Sequence, residues 1–359
     1  MQGMVFHCNA CGCPDSRSGI VRHKIGSTAD DVDMPGRGRM LRPTTNEIRK
    51  SVRKRSVSAT CFRQAEHTSM SSTDEITISV VIPLYNKEDS ICSTLSSVLE
   101  QDCSVPFEIV IVDDGSTDQS ATKVREIASK HGNIRYVKQD NAGPAAARNR
   151  GKELSLGEWV MFLDADDRLM PDALQSLYDA ATQKPDITFS CGNFITASSD
   201  GKQYVQFPQI RSTVSDNPLR LFMWNRIFPR QGAFLVNKRK VPSFEYDIRY
   251  RRYEDYDSFI TFFRGRPLIG VTSRCVMTYQ NKYSSASQFS DPAEDFACHL
   301  DFNDKSFCEK VLLARVLRAS VGFYPQLMEQ YGRERFYCLV SSSIDFYTRV
   351  IRKLSKCFP

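Results

Sequence analysis

The chain has no uninterrupted apolar run of about 18 residues or more, so no membrane-spanning helix is expected from it. Its N-terminus lacks the apolar stretch of a secretory signal. Neither a GxxxxGK phosphate loop followed by Ser or Thr nor a GxGxxG dinucleotide fingerprint occurs, which argues against an ATPase and a dehydrogenase. There is no internal repeat. The 12 cysteines do not form a disulfide framework, because most are scattered singly through apolar contexts where thiols are usually buried and reduced. Only Cys8, Cys11 and Cys13 cluster, with His7 and His23 nearby. A structural zinc site needs a second ligand pair at longer spacing, and Cys61 and His67 are the remaining candidates before the fold, so no zinc site is expected.

What is present is enough to build a core. The apolar fraction is 41% over 359 residues, which excludes a wholly disordered chain. The formal charge of +6 is unevenly spread. Residues 1–75 carry 12 basic and 8 acidic side chains, residues 76–304 carry 26 and 30, and residues 305–359 carry 10 and 4. A slightly acidic body argues against nucleic acid as a partner, which would draw positive charge onto the folded domain. The basic end could meet an anionic membrane surface or an anionic acceptor, or be a solvated helix face. The expected location is cytoplasmic, with peripheral contact at the inner face of the plasma membrane as the role for that end.

Residues 1–69 are rich in Arg, Ser, Thr and Gly and poor in periodic apolar residues, so they cannot offset their ordering entropy by burial. Met70 stands six residues before the first strand. The expectation is that residues 1–69 are disordered, or a leader upstream of the natural start.

From Ile76 the pattern changes. Ile76–Pro83, Phe107–Val112, Ile134–Val137, Trp159–Leu163 and Ile187–Cys191 read as buried strands, with helices predicted over Ser90–Gln101, Ser120–His131, Ala145–Leu154 and Pro171–Thr182. This alternation implies βαβ units and a mostly parallel sheet covered on both faces. The expected fold class is therefore α/β, Rossmann-like, over residues 76–285, with a helical segment over 286–359.

Ligands of such sheets bind beyond the carboxyl ends of the strands. Three strand ends here are polar: Pro83-Leu84-Tyr85-Asn86, Asp113-Asp114-Gly115-Ser116 and Asp164-Ala165-Asp166-Asp167. In an extended segment the carboxylates of Asp164 and Asp166 would point the same way and could share a divalent cation, Mn2+ or Mg2+, with a diphosphate. Gly115 and Ser116 read equally as a turn and a helix cap, which leaves Asp114 able to accept an N–H. Arg148, in the small-residue stretch Asn141–Gly151, could meet phosphate or ribose oxygens, or that stretch could simply pack tightly on the sheet. Glu254-Asp255 precedes a helical pattern, where an acidic pair favours the helix dipole and a carboxylate could also act as a general base.

From Ile78 to about Tyr283 the chain resembles the inverting GT-A glycosyltransferases of family 2. It carries V-V-I-P-L-Y-N, I-V-I-V-D-D-G-S-T-D, N-A-G-P-A-A-A-R-N-R-G, F-L-D-A-D-D and a later E-D, in order. The resemblance implies a nucleotide-sugar donor, with UDP the commonest nucleotide, and a glycan or lipid-linked acceptor of surface-polysaccharide synthesis. It implies that Pro83, Tyr85 and Asp114 cradle the base, that Asp164 and Asp166 handle ribose, diphosphate and metal with Asp166 the direct ligand, and that Asp255 is the catalytic base. The Q-x-x-R-W motif of processive members such as cellulose and hyaluronan synthases is missing after Tyr283, so transfer of one sugar per encounter is expected. Two rival readings stay open: a binding scaffold that has kept the fold, and a sugar nucleotidyltransferase. The second would want a glycine-rich basic loop after the first strand, which this sequence does not supply.

Overall fold

The structure is a computed structural model that describes residues 75–197, 202–280 and 291–331. The expected leader 1–69, its cysteine cluster and the basic end beyond Tyr331 lie outside the described residues.

The first half alternates as its pattern requires: β1 (Ile78–Leu84), α1 (Ile91–Leu99), β2 (Phe107–Asp113), α2 (Ser120–Ala128), β3 (Ile134–Lys138), α3 (Pro144–Leu154) and β4 (Trp159–Phe162). There follow β5 (Arg168–Leu169), α4 (Ala173–Ala181), β6 (Phe189–Ala197), β7 (Gln203–Val205), β8 (Thr213–Ser215), α5 (Pro218–Met223) and β9 (Phe234–Asn237). The chain continues through α6 (Glu254–Arg264), β10 (Ile269–Gln280), α7 (Phe307–Ser320) and α8 (Gln326–Tyr331).

One sheet results, in the order β3-β2-β1-β4-β9-β6-β10-β5, with β7 on β6 and β8 on β10. The pairs β1–β2, β2–β3, β1–β4 and β6–β10 are parallel and hold its longest registers. Strand β9 enters antiparallel between β4 and β6.

Side chains of β1, β2 and β4 divide between two cores by strict alternation, as the pleat demands. Val81, Val110, Val112, Val160 and Phe162 face the core under α3, α6 and α7, whereas Val80, Ile82, Ile109, Ile111 and Met161 face the core under α1 and α4. Helix α6 is fixed to the sheet by aromatic packing. Phe259 meets Phe234 edge-on at 5.2 Å between centroids, and Phe263 meets Phe189 at 5.3 Å. Such pairs add about 0.5–1.5 kcal/mol beyond their burial, so they hold the start of α6 in place. Helix α7 joins the same core through Leu312 and Val316, and its Arg315 donates to Asn225 Oδ1 at 2.9 Å.

Helix α3 lies close against β1 because Gly151 faces it without a side chain. A Cβ at Gly151 would lie 2.2 Å from Val81 Cγ1. Gly151→Ala is therefore expected to lower stability by about 1–3 kcal/mol, the usual cost of overpacking, read as a drop in the denaturant midpoint at constant m-value.

Candidate active site

The loops after β1 and β2 are sewn together by their own polar groups. Asn86 takes a left-handed conformation (φ 48°) that turns the chain out of β1. Its Oδ1 accepts from the Thr117 backbone N–H at 2.9 Å, and its own N–H donates to Ser116 Oγ at 3.2 Å. Lys87 N–H donates to Ser120 Oγ at 2.8 Å, which aligns the two helix starts. Tyr85 is left exposed at the mouth of this junction, and Pro83 is half-buried behind it. Asp114 is buried, and its carboxylate accepts from the Ala142 and Gly143 N–H groups at 2.9 and 2.8 Å and from Gln139 Nε2 at 2.7 Å. It thereby positions the loop that opens α3, and Gly143 (φ 90°) lets that loop turn into the helix.

After β4 the segment Asp164–Asp167 is a turn, closed by Asp167 N–H to Asp164 O at 3.1 Å, and not the extended stretch expected. The turn aims the two carboxylates at different neighbours. Asp164 Oδ1 accepts from Arg148 Nη2 at 2.8 Å, and Asp166 Oδ2 pairs with Lys87 Nζ at 2.6 Å. Desolvation and the nearby Asp164 raise the Asp166 carboxyl above its ordinary range, and Lys87 opposes them. Among the described residues no group of three or more His, Cys, Asp or Glu could hold a metal by itself.

Arg148 links this turn to the start of α6. Its Nη1 donates to Glu254 Oε1 at 2.6 Å, so one guanidinium joins Asp164 to Glu254. Burial alone would pull the guanidinium down, but the Asp164 and Glu254 carboxylates raise it above its ordinary value. Each terminal nitrogen gives an N–H to a carboxylate, and Nε is buried with no partner among the described residues. The small residues around it serve the close packing of α3, so both readings of that stretch apply.

Asp255 stands in the first turn of α6, after Tyr253 in a left-handed conformation (φ 58°). Oδ1 accepts from the Tyr256 N–H at 2.8 Å, and among the described residues Oδ2 has no hydrogen-bond partner. Desolvation raises the Asp255 carboxyl above the ordinary aspartate range, with Arg148 and Arg230 pulling against it. Desolvation likewise raises Glu254, against the pull of Arg148.

Asp164, Glu254 and Asp255 line one cleft of about 380 Å³ together with Arg148, Arg230 and Arg252. Tyr279 and Phe323 wall it, and the Arg230 guanidinium lies 3.5 Å from the Tyr279 ring centroid. Asp166, Asp114 and Tyr85 are not among the residues lining this cleft, so the carboxylates expected to act together divide between it and the β1–β2 junction. The wall at Phe323 comes from beyond α7. Buried Arg252 pairs with the fully buried Asp295 at 2.9 Å and lies 4.2 Å from the Phe323 ring centroid, which ties the C-terminal segment to the turn before Asp255. Lys87, Arg230, Gln231, Arg252 and Phe323 were not anticipated from sequence, since each acts through a partner far away in the chain.

The model of glycosyl transferase family 2 matches residues 79–258, about half of the chain. The amylovoran biosynthesis glycosyltransferase AmsB of Erwinia amylovora is 31% identical over 192 residues, covering 51% of this chain and 62% of that protein. An uncharacterized glycosyltransferase of Escherichia coli, YibD, is 34% identical over 146 residues, covering 40% and 42% respectively. The chain thus spans under two thirds of the length of these curated relatives. The crystal structure of Staphylococcus aureus TarS 1–349 in complex with UDP-GlcNAc has the same fold, with a TM-score of 0.54 at 20% identity over 69% of this chain and 73% of that one. Fold, motif order and these matches agree, and the chain belongs to glycosyl transferase family 2.

Proposed function

We propose that the chain transfers a sugar from a nucleoside-diphosphate sugar, a UDP-sugar first of all, to a hydroxyl of a glycan or lipid-linked acceptor in surface-polysaccharide synthesis, with inversion. The observation that carries this reading is that Asp255 and Asp164 line one cleft, with Arg148 bridging the turn of one to the helix start of the other. The UDP-GlcNAc in the TarS complex supports the donor class, and the name of AmsB supports the polysaccharide role.

In the proposed reaction Asp255 Oδ2 accepts the proton of the acceptor hydroxyl as its oxygen bonds to the anomeric carbon. The bond from that carbon to the diphosphate oxygen breaks, and the nucleoside diphosphate leaves with the electron pair. Tyr85 and Pro83 offer a half-open surface for the base, and Asp114 fixes the loop beside it. A divalent cation, Mn2+ or Mg2+, held by Asp164 and Asp166 with the donor phosphates, would offset the charge on the departing diphosphate. Asp166 is the proposed direct ligand, and Lys87 must yield its 2.6 Å contact for that carboxylate to take up the role.

Thermal unfolding of the full chain with UDP, GDP or dTDP, each with Mn2+ or EDTA, tests the donor site, because a ligand that binds only the folded state raises the midpoint. The expected result is a rise of several degrees with UDP that EDTA reverses. A rise with no dependence on the cation would remove the metal from the reading, and no rise with any nucleotide would remove the donor.

A further inference from the structure

We propose that Gln231 recognises the transferred sugar: its side-chain amide hydrogen-bonds a hydroxyl or amide group of the donor's sugar ring and so sets donor-sugar preference. The inference rests on the donor reading above and extends it to a residue outside the family motifs.

Gln231 lines the cleft beside Asp164 and Asp255 and is 3% exposed. Its Oε1 accepts from Tyr246 O–H at 3.2 Å, while its Nε2 is buried with no partner among the described residues. Turning the planar amide over would exchange these roles and still leave one polar atom unpaired. Leaving such a group unmade inside a protein is costly and uncommon, and it points to a ligand that completes it. Two other residues that line the cleft, Arg148 and Arg230, likewise bury an Nε with no partner among the described residues. Three residues lining one cavity thus each carry an unpaired N–H donor, which suits a ligand rich in oxygen acceptors. A sugar attached to a diphosphate is such a ligand.

The scaffold around Gln231 places it on the donor side. The next residue, Gly232 (φ 83°), donates its backbone N–H to Phe162 O at the end of β4, so the amide is anchored to the strand that leads into Asp164. Tyr246, which fixes the amide, has its ring 5.3 Å from the Arg148 guanidinium that holds Asp164. The amide, its clamp and the Asp164 turn therefore form one packed unit. A site built to hydrogen-bond a substrate group discriminates strongly against analogues that lack it, which is how one amide can set preference.

The test is calorimetric binding of UDP, UDP-GlcNAc, UDP-glucose and UDP-galactose to the full chain, with transfer kinetics for each donor. Gln231→Met keeps volume and removes both polar atoms. It is expected to leave UDP affinity within about twofold, to weaken the preferred UDP-sugar roughly tenfold to a hundredfold, and to narrow the spread among sugars. Tyr246→Phe frees the amide without removing it and is expected to shift the same quantities in the same direction by less, which keeps the test decisive if Gln231→Met does not fold. Equal loss of UDP and UDP-sugar affinity would overturn the proposal by making the residue structural. Unchanged donor affinity with a raised acceptor KM would overturn it in favour of an acceptor contact. Failure of the wild-type chain to bind any UDP compound would instead sink the donor reading itself.

Discussion

Asp255→Asn is expected to lower kcat by about 10²–10⁴-fold, the range a positioned general base supplies, while nucleotide affinity stays near that of the wild type. The substitution keeps shape and removes only the capacity to take a proton. Oδ1 already accepts from the Tyr256 N–H, so in the proposed reaction the proton goes to Oδ2, which has no hydrogen-bond partner among the described residues. The base works deprotonated, and desolvation has raised its carboxyl above the ordinary aspartate range. The kcat/KM of the wild type should therefore fall as pH drops through that raised value and level off above it. Its acid limb should lie at higher pH than an exposed aspartate would give, and the residual rate of the Asn variant should lack that limb. Measuring both pH profiles with saturating donor decides the point. Full transfer activity in the variant would return Asp255 to a helix-dipole partner, the reading that position also allows.

Much of the fold was legible because the local pattern and the tertiary requirement coincide. Apolar runs such as Ile109–Val112 suit a strand covered on both faces, and the helices between them show the matching stripe. The antiparallel entry of β9 was not legible. The apolar stretch Gly232–Val236 is strand-like in sequence, but the direction of the strand is set by the route of residues 202–231, which carry no periodic signal. Strand β6 begins later and runs longer than its apolar core suggests, since Asn193 and Thr196 belong to it and are polar.

The candidate site divides along the same line. Tyr85, Asp114, Asp164, Asp166 and Asp255 were legible because motifs and strand ends locate them. What each touches was not. The conformation after β4 is a turn, so i and i+2 do not face one point, and Asp166 meets Lys87 from the β1–α1 loop instead. No spacing rule reaches from Asn141–Gly151 to Glu254, and a glutamine in an unpatterned loop gives no signal until a fold leaves its amide unpaired.

Arg148→Met carries the second large effect. The guanidinium neutralises two carboxylates on opposite walls of the cleft, with its own side chain 6% exposed and that of Glu254 10% exposed. Removing one member of a buried ion network strands the others, at about 3–5 kcal/mol. Glu254 is already raised by desolvation with Arg148 opposing it, so without the arginine it rises further. A carboxyl whose folded value lies above its unfolded one costs stability as pH rises through that folded value. The deficit of Arg148→Met relative to the wild type should therefore grow as pH rises above about 7, where the wild-type Glu254 gives up its proton and the variant's does not, and shrink again when the pH is lowered. Lys in this position offers one compact charge where the guanidinium fork spans two carboxylates. Arg148→Lys should thus recover part of the stability but leave transfer reduced by about a hundredfold, the cost of roughly an ångström of misplacement between donor and base. Denaturant unfolding of both variants across that pH range, with kcat measured beside it, separates the two roles. If Arg148→Lys restores stability and rate together, the bridge between Asp164 and Glu254 is only a charge balance, and the alignment of the two walls must come from the packing of α3 and α6.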